Sequence, residues 1–154
     1  MTKRQKLELT WIGKDARPKL EPRILLEGPN KSYHAKHRVS AVDSFDNRLI
    51  FGDNLLALKA LEQEFTGKVK CVFIDPPYNT GGDGFAYKDS YQHSSWLSLL
   101  QDRISKVKDL VSDGAPFFAS IDDNELLNLS RLLNDAFGSE KFISNVIVQS
   151  NKRG

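Results

Sequence analysis

The 154-residue sequence has a single cysteine, no long apolar run and almost no excess of charge of either sign. Its one cysteine, Cys71, rules out an intrachain disulfide and is typical of a cytoplasmic protein. No apolar run approaches the roughly 20 residues of a membrane-spanning helix, and no apolar signal segment opens the chain. The sequence therefore predicts a cytoplasmic protein without a membrane partner.

The sequence also lacks a convincing set of metal ligands. His34 and His37 lie close together, but the further ligands of a zinc site do not accompany them. Asp122, Asp123 and Glu125 are acidic neighbours, and the spacing of Asp122 and Glu125 is typical of a capping box at a helix start. We therefore predict no metal site, and we expect the acidic group to cap a helix.

Charge is distributed unevenly, although the net charge is only +2. Residues 1–38 contain ten Lys and Arg against four Asp and Glu, whereas the other 116 residues contain twelve against sixteen. Such a basic arm is suited to contact the phosphates of a nucleic acid. A solvated, loosely packed segment is an equal alternative, with residues 24–26 as its main anchor. We divide the chain into an irregular arm, residues 1–40, and a domain portion, residues 41–154.

From residue 48 onwards, apolar patterns typical of strands and helices alternate along the chain. Strands are predicted at residues 48–51, 69–74, 116–121 and 143–148, and helices at about 54–67, 94–113 and 122–137. This alternation predicts an α/β fold with a mostly parallel sheet. The polar loop at residues 79–93 contains Phe85, Tyr87 and Tyr91. We favour a lid over a bound ligand for this loop, and aromatic pinning to the core is the alternative.

The most informative residues follow the predicted strand at 69–74; they are Asp75, Pro76, Pro77 and Tyr78. Ligands bind at the carboxyl ends of strands in open α/β sheets. The Asp75 carboxylate and the Pro76 carbonyl are acceptors, which the prolines hold out of the helical region. In the transition state of a reaction at an exocyclic amine, the lone pair is localised on the amine nitrogen. Hydrogen-bond acceptors placed at the two amine hydrogens stabilise this state. Tyr78 supplies an aromatic face on which a base can stack. The segment therefore predicts a binding site for a base that carries an exocyclic amine; an ordinary turn is the alternative.

Asp75, Pro76, Pro77 and Tyr78, called the DPPY segment below, resemble the catalytic tetrapeptide of amino-group DNA methyltransferases. The resemblance extends to the modification subunits of type III restriction-modification systems. Further similar stretches lie at residues 11–23, 50–55, 79–81, 85–87 and 121–125, with Trp96 and Arg103. It implies methyl transfer to adenine N6 in DNA, since Asp at the first position is more typical of these enzymes than of N4-cytosine enzymes. It also implies a Rossmann-like, S-adenosylmethionine-dependent fold.

The resemblance implies roles for individual residues. The DPPY segment is catalytic, Tyr78 and Asn79 contact the substrate base, and Asp53 contacts the cofactor, S-adenosyl-L-methionine. For Asp53, capping of the helix that follows is an equal alternative. Methyl transfer from a sulfonium is an in-line displacement that depends mainly on orientation and needs no metal. The implied partners are double-stranded DNA and, in the full-length protein, a restriction subunit and a second methyltransferase subunit.

One element of the family pattern has no counterpart in the sequence. The glycine-rich Phe-x-Gly-x-Gly loop, which receives the methionine part of the cofactor, is absent: residues 137–140 have one glycine, and residues 81–84 follow the wrong strand. The sequence therefore resembles an amino-terminal portion with an incomplete sheet. Two hypotheses follow, an adenine-N6 methyltransferase segment and an inactive truncated fragment. An N4-cytosine, RNA-base or protein-amide methyltransferase is a weaker alternative.

An incomplete sheet has a physical consequence for the strand at residues 69–74. In the family fold this strand pairs with the strand that leads into the glycine-rich loop. Without that neighbour, one edge of the strand is left unpaired, and such edges promote aggregation. We therefore expect poor solubility or self-association of the isolated chain.

Overall fold

The computed structural model describes residues 8–33, 36–81 and 90–149. Its elements are α1 (Asn54–Phe65), β1 (Val72–Ile74), α2 (His93–Leu110), β2 (Phe117–Ala119) and α3 (Leu126–Phe137), with 3-10 helices at Pro29–Lys31 and Ser139–Lys141. β1 and β2 pair in parallel, with Val72 opposite Phe117, and a further parallel bridge joins Val69 to Val111. The described part is a small α/β unit, and none of its helices has the length and apolarity needed to span a bilayer.

The start of α1 is fixed by Asp53. Its Oδ1 accepts hydrogen bonds from the backbone N–H groups of Leu55 (3.0 Å) and Leu56 (3.1 Å). These donors have no partner within the first helical turn, so a side-chain acceptor at this position stabilises the helix. The capping alternative for Asp53 is therefore confirmed, and its contact with the cofactor stays a prediction.

The core lies between α2 and α3. One face of α2 supplies buried residues at helical spacing: Trp96, Leu97, Leu100, Ile104, Val107 and Leu110. Leu129 and Leu132 of α3 pack against this face, and the rings of Phe117 and Phe137 have centroids 5.4 Å apart. All three predicted helices are confirmed, because the apolar period that predicts each helix is also the face that it buries.

Two of the predicted strands are wrong. Residues 48–51 and 143–148 are in neither strand nor helix. Their apolar side chains lie at the surface, and Leu49, Phe51 and Ile147 are almost fully exposed. A strand forms only where its backbone N–H and C=O groups pair with a neighbouring strand. In the described ranges neither run has such a neighbour, so the apolar pattern alone does not produce a strand.

The strand predicted at residues 69–74 is shorter and less buried than expected. Phe73 of β1 is 69% exposed and lies opposite Phe118 of β2, which is 53% exposed. Cys71, expected inside a buried strand, lies just before β1 and is exposed. Within the described ranges β1 has β2 as its one strand neighbour, in agreement with the expected unpaired edge. Self-association of the chain stays a prediction.

The N-terminal arm is attached to α2 through Trp11. The indole Nε1 of Trp11 donates to Ser98 Oγ at 2.9 Å, and Trp11 and Leu9 pack against the core. The predicted anchor at residues 24–26 is wrong, because these side chains are exposed. Attachment follows instead from the aromatic residue, which offers both a large apolar ring and a polar group that needs a partner.

Asp122 and Glu125 do not form the predicted capping box. Oδ1 of Asp122 accepts from the backbone N–H of Asn124 at 3.0 Å, which closes a local turn. Glu125 precedes the first residue of α3, but its side chain makes no capping hydrogen bond. Glu125 is instead completely buried, so its carboxylate must find its partners in the protein interior.

Candidate active site

Asp75 and Ser120 meet at the carboxyl end of the sheet. Asp75 directly follows β1 and Ser120 directly follows β2, and the parallel register pairs Ile74 with Ala119 just before them. The N–H of Ser120 donates to the Ile74 carbonyl at 3.0 Å, and its hydroxyl donates to Oδ1 of Asp75. The Asp75 side chain is exposed. The carboxylate is therefore oriented from within the sheet and keeps acceptor capacity for a ligand.

The second half of the DPPY segment is held by α2. The Pro77 carbonyl accepts a hydrogen bond from Nε1 of Trp96 at 2.8 Å. Trp96 is completely buried and Pro76 is buried as well. This indole occupies the carbonyl of Pro77, whereas the predicted amine acceptor is the carbonyl one residue earlier. The backbone before Tyr78 is thus tied to the core.

Asn79 turns the chain after Tyr78. Its φ of 61° lies in the left-handed region, which Asn adopts more readily than most residues. Its Nδ2 donates to Oε1 of Glu125 at 2.6 Å, and its Oδ1 accepts from the N–H of Tyr91 at 2.6 Å. Both ends of the Asn79 amide therefore bind the protein itself. The contact of Asn79 with a substrate base stays a prediction.

Glu125 is the buried centre of these contacts. Its Oε1 accepts from Asn79 and lies 2.6 Å from Nδ1 of His93, and its Oε2 accepts from Nδ2 of Asn128 at 2.7 Å. Burying a carboxylate is costly unless hydrogen-bond partners replace the water that it loses. Three partners from three parts of the chain serve here, which explains how the carboxylate can lie at 0% exposure.

Asp53 lies in a second polar group, formed by α1 and α2. Its Oδ2 is 3.4 Å from Nη2 of Arg103. Arg103 also donates from Nε to Oδ1 of Asn54 at 2.5 Å and from Nη1 to the Leu99 carbonyl at 2.8 Å. The Asp53 side chain is 53% exposed. The structure thus links Asp53 to α2 through Arg103, and links Asp75 to β2 through Ser120.

Two surface cavities of the described part of the chain are lined by residues other than the DPPY segment. One of about 420 Å³ is lined by the arm and α1, including Arg23, Lys59 and Glu62. Another of about 220 Å³ is lined by Arg17 and Asp102 among others. Across the described ranges, no group of three His, Cys, Asp or Glu residues could hold a metal ion.

The loop at residues 79–93, which the sequence predicts to be a lid, is described at residues 79–81 and 90–93. Phe85 and Tyr87 lie outside the described residues. Tyr91 is half-buried and packs against the core formed by α2 and α3. For Tyr91, the alternative that the aromatic residue pins the loop to the core is therefore confirmed.

Sequence analysis missed the contacts of Ser120 and Glu125. For Ser120 a signal exists: in a parallel pair, the residues that directly follow each strand share one edge, so Ser120 could have been placed beside Asp75. For Glu125 no local signal exists, because its partners Asn79 and His93 lie 46 and 32 residues away. The helical pattern around it favoured a cap, which the fold does not use.

Comparison with known proteins gives one family. A profile of the DNA methylase family matches residues 69–154. The chain is 42% identical over 109 residues to a probable type III restriction-modification enzyme, the HindVI Mod subunit of Haemophilus influenzae, covering 71% of this chain and 15% of that protein. It is 30% identical to the EcoPI Mod subunit of Escherichia phage P1, over 98% of this chain and 28% of that protein. It is 32% identical to the type II methyltransferase M.KpnI of Klebsiella pneumoniae, over 75% of this chain and 30% of that protein. The chain thus spans less than a third of these relatives.

Proposed function

Because the chain belongs to the DNA methylase family, we propose that it carries the catalytic segment of an adenine-N6 DNA methyltransferase. The observation that carries this proposal is the exposed Asp75 carboxylate, oriented by Ser120 at the carboxyl ends of two parallel strands. The relatives named above are modification subunits and a methyltransferase. Asp at the first position of the DPPY segment favours adenine N6 over cytosine N4.

In the proposed reaction, Asp75 and Pro76 bind the exocyclic amine of adenine. As the new N–C bond forms, the amine nitrogen gains positive charge and its two hydrogens become stronger donors. A carboxylate and a carbonyl aimed at these hydrogens therefore bind the transition state more tightly than the ground state. The exposed carboxylate of Asp75 then takes the proton that the methylated nitrogen releases and passes it to water.

Tyr78 is proposed to hold the base in position. Its half-buried side chain leaves part of the residue at the surface, and an aromatic face contributes about 1–3 kcal/mol of stacking per base. The hydrogen bonds made by Pro77 and Asn79 hold the backbone on either side of Tyr78. A base within a duplex is not accessible to such a face, so the adenine must leave the helix first.

S-adenosyl-L-methionine is the proposed methyl donor: it would supply an electrophilic methyl group on a sulfonium, whose S–C bond breaks as the N–C bond forms, and it would leave as a neutral thioether. Asp53 fits a role in holding it: Oδ1 caps α1, while Oδ2 belongs to a half-exposed side chain whose contact with Arg103 is long, at 3.4 Å. Such an oxygen can accept a further hydrogen bond from a hydroxyl or amine group of a nucleoside.

Partners and domain organisation are proposed for the whole protein. The partners are double-stranded DNA, a restriction subunit and a second methyltransferase subunit. The proposed domain organisation of the chain is a basic arm, residues 1–40, followed by the amino-terminal portion of a Rossmann-like catalytic domain, residues 41–154. An inactive fragment is the second candidate.

Methyl transfer tests the reaction directly. The chain is incubated with S-adenosylmethionine and duplex DNA, and the digested DNA is analysed by mass spectrometry for N6-methyladenine and N4-methylcytosine. We expect N6-methyladenine, with a loss of about 10²-fold or more in Asp75→Asn, which keeps the shape but removes the charge. Asp113→Asn, an exposed carboxylate in a turn after α2, is the matched control and should keep full activity. Formation of N4-methylcytosine would contradict the adenine assignment.

Cofactor binding separates an active segment from an inactive fragment. Titration calorimetry with S-adenosylmethionine is carried out on the chain and on Asp53→Asn and Asp53→Ala. Asn remains a good N-cap while Ala does not, so a loss of affinity in both variants assigns the carboxylate to cofactor binding. Loss in Asp53→Ala alone assigns it to helix capping. Absence of binding at millimolar cofactor would support the inactive fragment.

A further inference from the structure

We propose that Glu125 is the positioning residue of the DPPY segment: its buried carboxylate holds Asn79 and the start of α2, and so fixes Tyr78 between them. The inference rests on the proposed function for the chemical meaning of Tyr78. The contacts themselves do not depend on it.

The first support is the number and origin of the partners of Glu125. A completely buried carboxylate receives Asn79 from the segment after Tyr78, His93 from the start of α2, and Asn128 from α3, at 2.6, 2.6 and 2.7 Å. Removal of one partner of a buried charge is strongly destabilising, so the carboxylate ties together the three segments that supply its partners. A residue needed only to start α3 would lie at the surface and cap the helix, which Glu125 does not do.

The second support is that the contacts close a ring around Tyr78. On one side of Tyr78, Pro77 accepts from Trp96, which lies within the first turn of α2. On the other side, Asn79 donates to Glu125. Glu125 in turn contacts His93, the first residue of α2. Both neighbours of Tyr78 are therefore fixed to one helix, and the carboxylate completes the connection.

This geometry predicts a reversal of polarity that can be tested. Asn79→Asp places one carboxylate against another, which repels Asn79's segment from Glu125. Adding Glu125→Gln to that variant restores a hydrogen bond with donor and acceptor exchanged. The Gln amide then donates one hydrogen to Asp at position 79 and one to neutral His93 at Nδ1, while its oxygen accepts from Asn128. The other oxygen of the Asp still accepts from the N–H of Tyr91.

The two tryptophans of the chain provide the measurement. In ¹H–¹⁵N spectra, the indole N–H signal of Trp96 reports its hydrogen bond to Pro77, and the signal of Trp11, bonded to Ser98, is the internal reference. We expect Asn79→Asp to shift the Trp96 signal and leave the Trp11 signal in place. Glu125→Gln alone should have a smaller effect, since its amide oxygen can still accept from Asn79. The double variant should return the Trp96 signal to its original position.

Two results would overturn the proposal. One is an unchanged Trp96 signal in a folded Asn79→Asp variant. The other is a double variant in which the signal stays displaced or the chain fails to fold. If Asn79→Asp alone does not fold, the double variant still decides, because a folded double variant with the original Trp96 signal supports the proposal.

Methyl transfer gives an independent readout. Asn79→Asp should lower kcat by about 10²-fold, the cost of a misplacement of roughly 1 Å, with KM for the cofactor unchanged, and the double variant should recover. If the parent chain transfers no methyl group, the proposed function of this chain fails, whereas the Trp96 signal still tests the role of Glu125.

Discussion

The hydroxyl of Ser120 donates to Oδ1 of Asp75, although the two residues are separated by 45 positions in the sequence. They are neighbours because each directly follows one of two paired parallel strands. The orientation of the acidic group is thus a property of the sheet register, and a slip of one residue between β1 and β2 would remove it.

Ser120→Ala tests this orientation. Loss of the hydroxyl should lower the rate of methyl transfer by about tenfold, since Asp75 would no longer be aimed. The free energy of unfolding should fall by about 1 kcal/mol, the net value of one hydrogen bond. Rate assays and urea unfolding measure the two effects.

Ser120→Thr is the matched control, because it keeps the hydroxyl. Full activity in the Thr variant together with a reduced rate in the Ala variant is the expected pair of results. Equal rates in all three chains would mean that Ser120 does not orient Asp75.

Trp96→Phe should destabilise the chain by about 2 kcal/mol. The substitution leaves space in a completely buried site, and it leaves the Pro77 carbonyl without its donor. Thermal or urea unfolding measures the change.

Trp11→Phe removes an indole hydrogen bond from a half-buried site, and it should cost only about 1 kcal/mol. A loss for Trp96→Phe that is no larger than this would contradict the importance of the Pro77 contact.

The helices could be predicted from sequence, whereas the fate of two apolar runs and the long-range contacts could not, for a physical reason. The helices α1, α2 and α3 follow from local spacing, and the capping alternative for Asp53 could be predicted because its partners are two and three residues away. The apolar runs at residues 48–51 and 143–148 predict strands, but a strand depends on a partner that spacing cannot supply. The spacing around Glu125 predicts a cap for a similar reason, since its partners Asn79 and His93 lie far along the chain.

The position of the DPPY segment after a strand was correctly predicted, because strand and turn signals are local. Its supporting contacts with Ser120 and Trp96 depend on how β2 and α2 pack. These elements are distant in sequence, so only the folded chain reveals the contacts.

Attachment of the N-terminal arm can be tested by comparing two apolar substitutions. Trp11→Ala removes a ring that packs against the core and an indole donor, and should cost about 2 kcal/mol. It should also speed limited proteolysis of the arm.

Leu26→Ala changes a side chain that is 82% exposed, so its effect should stay within about 0.5 kcal/mol. Equal proteolysis rates in the two variants would show that Trp11 is not the anchor.

The free energy of unfolding should depend on pH through the carboxyl group of Glu62. Hydrogen bonds from Lys106 (2.8 Å) and Lys59 (2.6 Å) hold the pKa of Glu62 below its ordinary value of 4.5. At pH values between the folded-state pKa of Glu62 and 4.5, the folded state therefore binds fewer protons than the unfolded state. The contribution of Glu62 is complete above pH 4.5 and is lost as the pH falls through the folded-state pKa. Urea unfolding of Glu62→Gln should show a smaller loss of stability on acidification.

Glu64, paired with Arg48 at the surface, is the comparison. Arg48 likewise holds the pKa of Glu64 below its ordinary value. Added salt should remove most of the effect of Glu64→Gln, because exposed pairs are screened, and should preserve more of the effect of Glu62→Gln. The same salt sensitivity for both variants would contradict the half-buried position of Glu62.

The contact between Trp11 and Ser98 also sets an order of events during synthesis. The two residues are 87 positions apart, so the arm leaves the ribosome long before the helix on which it packs. At about 5–20 residues per second, that interval lasts several seconds. Throughout it the arm, in which ten Lys and Arg outnumber four Asp and Glu, remains an unattached nascent segment. The arm is therefore synthesised before the helix on which it packs, and it can attach only after that helix has been made.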